Sequence, residues 1–274
     1  MPGNGPQRTA KRAAREAEKE DHDGLAPWLI RVDHAEVRLR CRWPAACPER
    51  ILRGAVVGQV ERQIGASVEW HNHGDDGESS ARPALTLYRV RSCPEVFFYG
   101  RTAHQRAAWL IGSVGALTLP GGEIVEVDSG DLRTGTTECQ VLGKSWATYD
   151  FVTPIFPSWV TYRRRPREPG PERRAWAVHF LESAILDWLN GARSEYGLER
   201  EQGQAGISVY IHDFDDIDGA VKLLWERPGR SEYVAHGFSC RFTTNAVLPD
   251  GIGLGRHRAE GFGEIRLVSR EGRA

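Results

Sequence analysis

The chain has 274 residues, with 36 basic and 37 acidic side chains, five cysteines and 40% hydrophobic residues. At about 100–200 residues per domain, that is one large or two modest domains with a real core, which excludes a disordered or collagen-like polymer. The longest uncharged apolar-rich run, 107–120, is shorter than the ~20 residues of a spanning helix, and the odd cysteine count without a CxxC pair argues against a disulfide scaffold or cysteine zinc site.

No apolar segment follows the charged N-terminus, so the expectation is a cytoplasmic protein without a membrane partner. Only four of the basic residues are Lys. The rest are Arg, whose planar fork suits phosphate and base edges, although an Arg-favouring codon usage gives the same bias. Residues 1–24 alternate basic and acidic with small residues and carry no apolar face, which predicts a mobile tail.

From Trp28 to Trp43, Val, Ile and Leu alternate with charged residues, as in a strand. Pro48 suits the first turn of a helix in which Leu52, Val56, Val60 and Ile64 recur every four residues. Gly54 and Gly58, on one face of it, predict a close approach to a sheet or ligand. Strands at Ala84–Val90 and Glu95–Tyr99, a helix at Ala103–Ile111 and more strand between Leu117 and Val141 complete a β-α-β-β-α-β order.

The second half repeats the plan from about Leu142. A strand is expected at Asp150–Phe156, and a helix opens at Pro171 and stops at Gly191. Strands follow at Ile207–His212, Val221–Trp225, Tyr233–Thr243 and Glu264–Val268, with the second helix missing or very short. The economical architecture is α+β: two tandem ferredoxin-like (RRM-like) domains at 25–142 and 143–274.

The stretch Gly251-Ile252-Gly253-Leu254-Gly255-Arg256-His257-Arg258-Ala259-Glu260-Gly261-Phe262-Gly263 stands out. Clustered glycines let backbone amides approach an anion, and Arg256 and Arg258 add charge. A dinucleotide fingerprint fails on spacing and on the absence of a following βαβ unit, and a P-loop lacks its Gly-Lys-Ser/Thr. A wide β-connection that needs positive φ is the plain structural alternative.

Phe238-Ser239-Cys240-Arg241-Phe242, Leu248-Pro249-Asp250-Gly251-Ile252-Gly253 and Gly261-Phe262-Gly263 together resemble the C-terminal signature of the RAMP superfamily of CRISPR proteins. Within it, the best match is the repeat-RNA-processing endoribonuclease, the sixth Cas protein family. His71-Asn72-His73 with the following Pro83–Val90 stretch resembles that family's histidine loop leading into a strand, and Thr153-Pro154-Ile155-Phe156 resembles its entry to the second domain.

His71 and His73 lie two residues apart, which on extended backbone sets both imidazoles to one side. Imidazole exchanges a proton near neutral pH and suits general acid/base work. Incidental surface histidines, or a metal pair helped by Asp75, Asp76 and Glu78, remain alternatives; metal chemistry needs further ligands that no spacing fixes. The resemblance implies catalysis by His71 and His73, with attack by a ribose 2′-OH giving 2′,3′-cyclic phosphate and 5′-OH ends and no cofactor.

The resemblance sets tyrosines ahead of that strand where this chain has Ala81 and Arg82, so either Arg82 takes over their hydrogen-bonding role or the site is weakened. The same resemblance places the RNA backbone on Gly251, Gly253, Gly255, Arg256, Arg258, Gly261, Phe262 and Gly263. The implied partner is CRISPR repeat RNA (pre-crRNA), with a homodimer or an effector complex as further assembly. A non-catalytic RAMP-type subunit that stays on guide RNA is the rival reading.

Overall fold

A computed structural model describes residues 28–44, 49–64, 85–119, 121–141, 146–157, 161, 163–168, 170–198, 206–223, 233–256, 258 and 262–271. The charged segment 1–24 and the histidine segment therefore lie outside the described residues. No described helix is long and apolar enough to cross a membrane.

The first half runs β1 (Trp28–Cys41), α1 (Glu49–Ile64), β2 (Thr86–Val90), β3 (Pro94–Tyr99), α2 (Ala103–Ser113), β4 (Ala116–Thr118) and β5 (Ile124–Val141). Its antiparallel sheet has the order β2-β3-β1-β5-β4. Without the short β4, this is the strand order a ferredoxin-like β-α-β-β-α-β unit produces when each helix carries the chain across the sheet.

The second half runs β6 (Trp146–Phe151), α3 (Pro171–Glu195), β7 (Val209–Leu223), β8 (Tyr233–Thr244) and β9 (Ile265–Glu271), with sheet order β7-β8-β6-β9. The same permutation recurs, and the span between β8 and β9, where a second helix belongs, is taken by the glycine-rich segment. The chain passes from one sheet to the other between Val141 and Trp146.

The expected four-residue repeat in α1 buries Leu52, Val56 and Val60, whereas Ile64 at the helix end is 56% exposed. The glycine reading does not hold toward the sheet: Gly54 is exposed, and a Cβ at Gly58 would meet the side chain of Arg62 at 3.5 Å. Both lie on the outer side of the helix, away from the buried stripe.

Three boundaries differ from expectation. α3 does not stop at Gly191, because Gly191 and Ala192 are buried in its packing face and tertiary burial outweighs glycine's helix cost. It stops one turn later, where Gly197 takes φ +70° and the amide of Leu198 reaches back to the Arg193 carbonyl at 3.0 Å, a Schellman cap. The strand expected at Asp150–Phe156 ends at Phe151, and Ile155 and Phe156 make isolated bridges to Phe238 and Arg256 instead. Of the separate strand expected at Val221–Trp225, Val221–Leu223 is the far end of β7, beyond a register shift after Ile217, and the rest lies outside the described residues.

β1 changes its buried parity midway. Ile30 and Val32 face the core shared with α3 and the second sheet, whereas Ala35, Val37 and Leu39 face α1 and α2. One strand thus serves both cores, and the edge-on contact of Tyr99 with Trp188 of α3 (6.1 Å) continues the shared one.

Candidate nucleic-acid interface

Phe238 and Phe242 on β8 are buried, and β8 leads into the loop 245–264 that returns to β9. Tyr149 of β6 anchors its start: the hydroxyl accepts from the amide of Leu248 (2.8 Å) and donates to the carbonyl of the same residue (3.0 Å). Burial pushes this phenol up to about 12, so it stays protonated and able to donate.

The Thr153–Phe156 stretch is the frame around which the loop is wound. The Thr153 hydroxyl accepts from the amide of Glu264 (3.0 Å), and the Pro154 carbonyl accepts from Gly263 (2.9 Å). Ile155 exchanges two backbone bonds with Phe238 (2.9 and 3.1 Å), and the Phe156 carbonyl accepts from Arg256 (2.8 Å). Phe262 stands edge-on to Phe156 at 5.0 Å. Three stretches distant in sequence therefore form one contiguous body.

The glycines are required by this winding. Gly263 has φ +67°, and a Cβ there would fall 2.0 Å from the Leu254 carbonyl oxygen. Gly253 lies where a Cβ would meet the Cβ of Arg258 at 2.6 Å and Leu87 of β2 at 3.1 Å. The amides of Gly251, Leu254, Arg256 and Gly263 are spent on backbone partners within the fold. The positive φ at Gly251 and Gly255 belongs to the same turns. The wide β-connection is thus present, and fewer amides are free for an anion than the glycine count suggests.

The two loop arginines differ. Arg256 is exposed, and its backbone amide donates to the Phe156 carbonyl at 2.8 Å. Arg258 is half-buried behind Gly253, and burial pulls its guanidinium down to about 10, opposed by the charge of Asp187 on α3. Of this pair, Arg256 is the one presented to solvent. Gly261 lies outside the described residues, as do His71, His73 and Arg82.

Sequence reasoning missed the contact that joins the loop to the first sheet. Arg89 of β2 is 4% exposed, donates to the carbonyl of Gly251, and places its Nε 2.9 Å from Glu264. Its guanidinium stacks on Phe97 of β3 at 4.0 Å. Arg91, two residues on, donates to the other oxygen of Glu264 at 2.7 Å. Glu95 of β3 extends the set to Arg38 at 3.3 Å.

Burial lowers the affinity of Arg89 for its proton and raises that of Glu264, so desolvation outweighs mutual attraction on both partners. Such a pair contributes little net stability and much geometric definition. The only sequence signal was an arginine in a strand that is otherwise buried, Thr86-Leu87-Tyr88-Arg89-Val90.

No protein-family model matches the sequence, and no curated protein matches it. Solved structures do match in three dimensions. A crystal structure of Cas6b aligns over 87% of this chain and 100% of its own, with 15% identity and a TM-score of 0.62. A structure titled CRISPR RNA processing endoribonuclease Cas6b aligns over the same shares, with 15% identity and a TM-score of 0.54. With two sheets of the same permuted order and a glycine-rich return in place of the last helix, the chain has the fold of these Cas6b proteins.

Proposed function

We propose that the protein is a metal-independent endoribonuclease that cleaves CRISPR repeat RNA to make mature guide RNA. The observation that carries this reading is the attachment of β2 to the glycine-rich loop through Arg89, Leu87 and Glu264. β2 is the strand that follows the His71–Arg82 segment in the sequence. The Cas6b fold and the exposed Arg256 point the same way.

In this reading residues 25–142 supply the chemistry and residues 143–274 hold the RNA backbone. One of His71 and His73 takes the proton of a ribose 2′-OH. The 2′-oxygen bonds to the adjacent phosphorus, the bond from phosphorus to the 5′-oxygen breaks, and the other histidine protonates that oxygen. Arg82 and Arg256 offset charge on the phosphorane. The products are a 2′,3′-cyclic phosphate and a 5′-OH.

The test is incubation of the full chain with the repeat of its own CRISPR array in chelator, followed by end-group analysis. Discrete fragments bearing those ends support the reading. RNA bound tightly and left intact contradicts it and identifies a guide-RNA-binding subunit instead.

A further inference from the structure

The connector between β6 and α3 carries the densest positive charge in the chain, four arginines within the five residues 163–167. Residues 163–174 hold six arginines against two glutamates, with no aromatic ring, in a chain whose net charge is -1. Arg163, Arg164 and Arg167 are exposed. A charge run of this kind is ordinarily a solvated spacer, and two observations set this one apart.

The first is that the turn is held in place. Arg173, on the first turn of α3, is 2% exposed, and its guanidinium donates to the Pro166 carbonyl at 3.0 Å and to the Arg167 carbonyl. The Arg164 amide donates to the Thr161 carbonyl at 3.1 Å. Burying a guanidinium costs desolvation that a plain spacer does not require. Its effect here is to fix where Arg164 and Arg167 leave the surface, and side chains on a fixed backbone lose less freedom on meeting an anion.

The second is that the turn is tied to the glycine-rich loop. Trp176, three residues beyond Arg173, stands edge-on to Phe238 at 5.9 Å. Phe238 exchanges two backbone bonds with Ile155, and the next carbonyl, of Phe156, accepts from the amide of Arg256. The start of α3 and the exposed Arg256 therefore belong to one packed unit built around Phe238.

We propose that the 163–167 turn is a second phosphate grip, onto which RNA backbone leaving Arg256 continues. It rests on the reading of the protein as one that binds CRISPR repeat RNA. Arginine's planar fork meets two phosphate oxygens at once. With no ring on which a base can stack, the turn senses charge and not sequence. It contributes affinity, and leaves the choice of repeat and of the cut to other residues.

The test is the affinity of the full chain for its own repeat and for a scrambled RNA of equal length, titrated between about 50 and 200 mM salt. Arg164→Ala/Arg167→Ala is expected to bind both RNAs about tenfold or more weakly, with the slope of log K against log salt shallower by about two. Both side chains are exposed, so its melt is expected to match that of the wild type. Arg164→Lys/Arg167→Lys keeps the charge and is expected to keep the slope. Arg31→Ala/Arg40→Ala removes the same charge from exposed positions of the first sheet and is expected to keep both affinity and slope. An unchanged slope in the alanine variant of the turn, an equal drop in the first-sheet variant, or a loss confined to the repeat overturns the grip. A wild-type chain that binds RNA without cutting it contradicts the endoribonuclease reading alone, since the slopes still decide the grip; one that binds neither RNA overturns both.

Discussion

The Arg89 guanidinium, on the second strand of the first sheet, donates to the Gly251 carbonyl and pairs with Glu264 on the far side of the same loop. One buried side chain thus grips both stems of the glycine-rich return. Phe97 beneath it and Arg91 beside it fix the orientation.

Breaking that pair from one side leaves Glu264 buried with one of its two arginines, the more exposed Arg91. Arg89→Met is expected to cost about 3–5 kcal/mol in denaturant unfolding. The double variant Arg89→Met/Glu264→Leu, which removes both charges, is expected to recover most of that loss. Equal destabilisation of the two variants would show that the pair does not act as a unit.

Tyr149 satisfies both backbone groups of Leu248 with one hydroxyl. Tyr149→Phe leaves a buried donor and a buried acceptor without that partner and is expected to cost about 2 kcal/mol in the same assay. The packing of the ring against Phe242 at 5.6 Å is retained, so the loss reports the hydroxyl alone.

Gly263 permits no side chain. With φ +67° and the Leu254 carbonyl oxygen 2.0 Å from where a Cβ would stand, Gly263→Ala is expected to cost more than the roughly 1–2 kcal/mol of the left-handed backbone alone. Gly121→Ala, where a Cβ meets nothing within 4 Å, is the matched control and is expected to be nearly neutral in the same melts.

On the second sheet Arg241 forms a two-pronged contact with Asp150 at 2.6 and 2.8 Å, which holds that carboxyl below its ordinary 3.8. A depressed folded-state value contributes stability that is present above pH 3.8 and lost as the pH falls through the lower value. Asp150→Asn is therefore expected to lower the Tm slightly at about pH 7, discounted for the pair's exposure, with the gap closing in acid. A gap that widens as the pH falls would contradict this.

The α+β class and the approximate position of most regular elements were legible because hydrophobic periodicity and turn residues act locally. Leu52, Val56 and Val60 announce α1, and the missing second helix of the C-terminal half was visible as glycine where a helix needs side chains. What was not legible is what depends on meeting in space. Gly191 looked like a helix stop and is a buried packing residue. Arg258 looked like a free cation and is tucked behind Gly253, while Arg89, with nothing local to mark it, ties the loop to β2. A charge in a buried strand gives no local sign of its partner 175 residues away.

The central claim is the acid/base use of the imidazole pair at His71 and His73 on RNA held by the loop. Its most direct measurement is the cleavage rate, in chelator, of repeat RNA with a single 2′-deoxy sugar before the scissile phosphate, beside the His71→Ala/His73→Ala variant on unmodified RNA. The account predicts no product from the deoxy substrate despite undiminished binding, and a rate at least ~100-fold lower for the bound variant. Undiminished cleavage in either arm would contradict it.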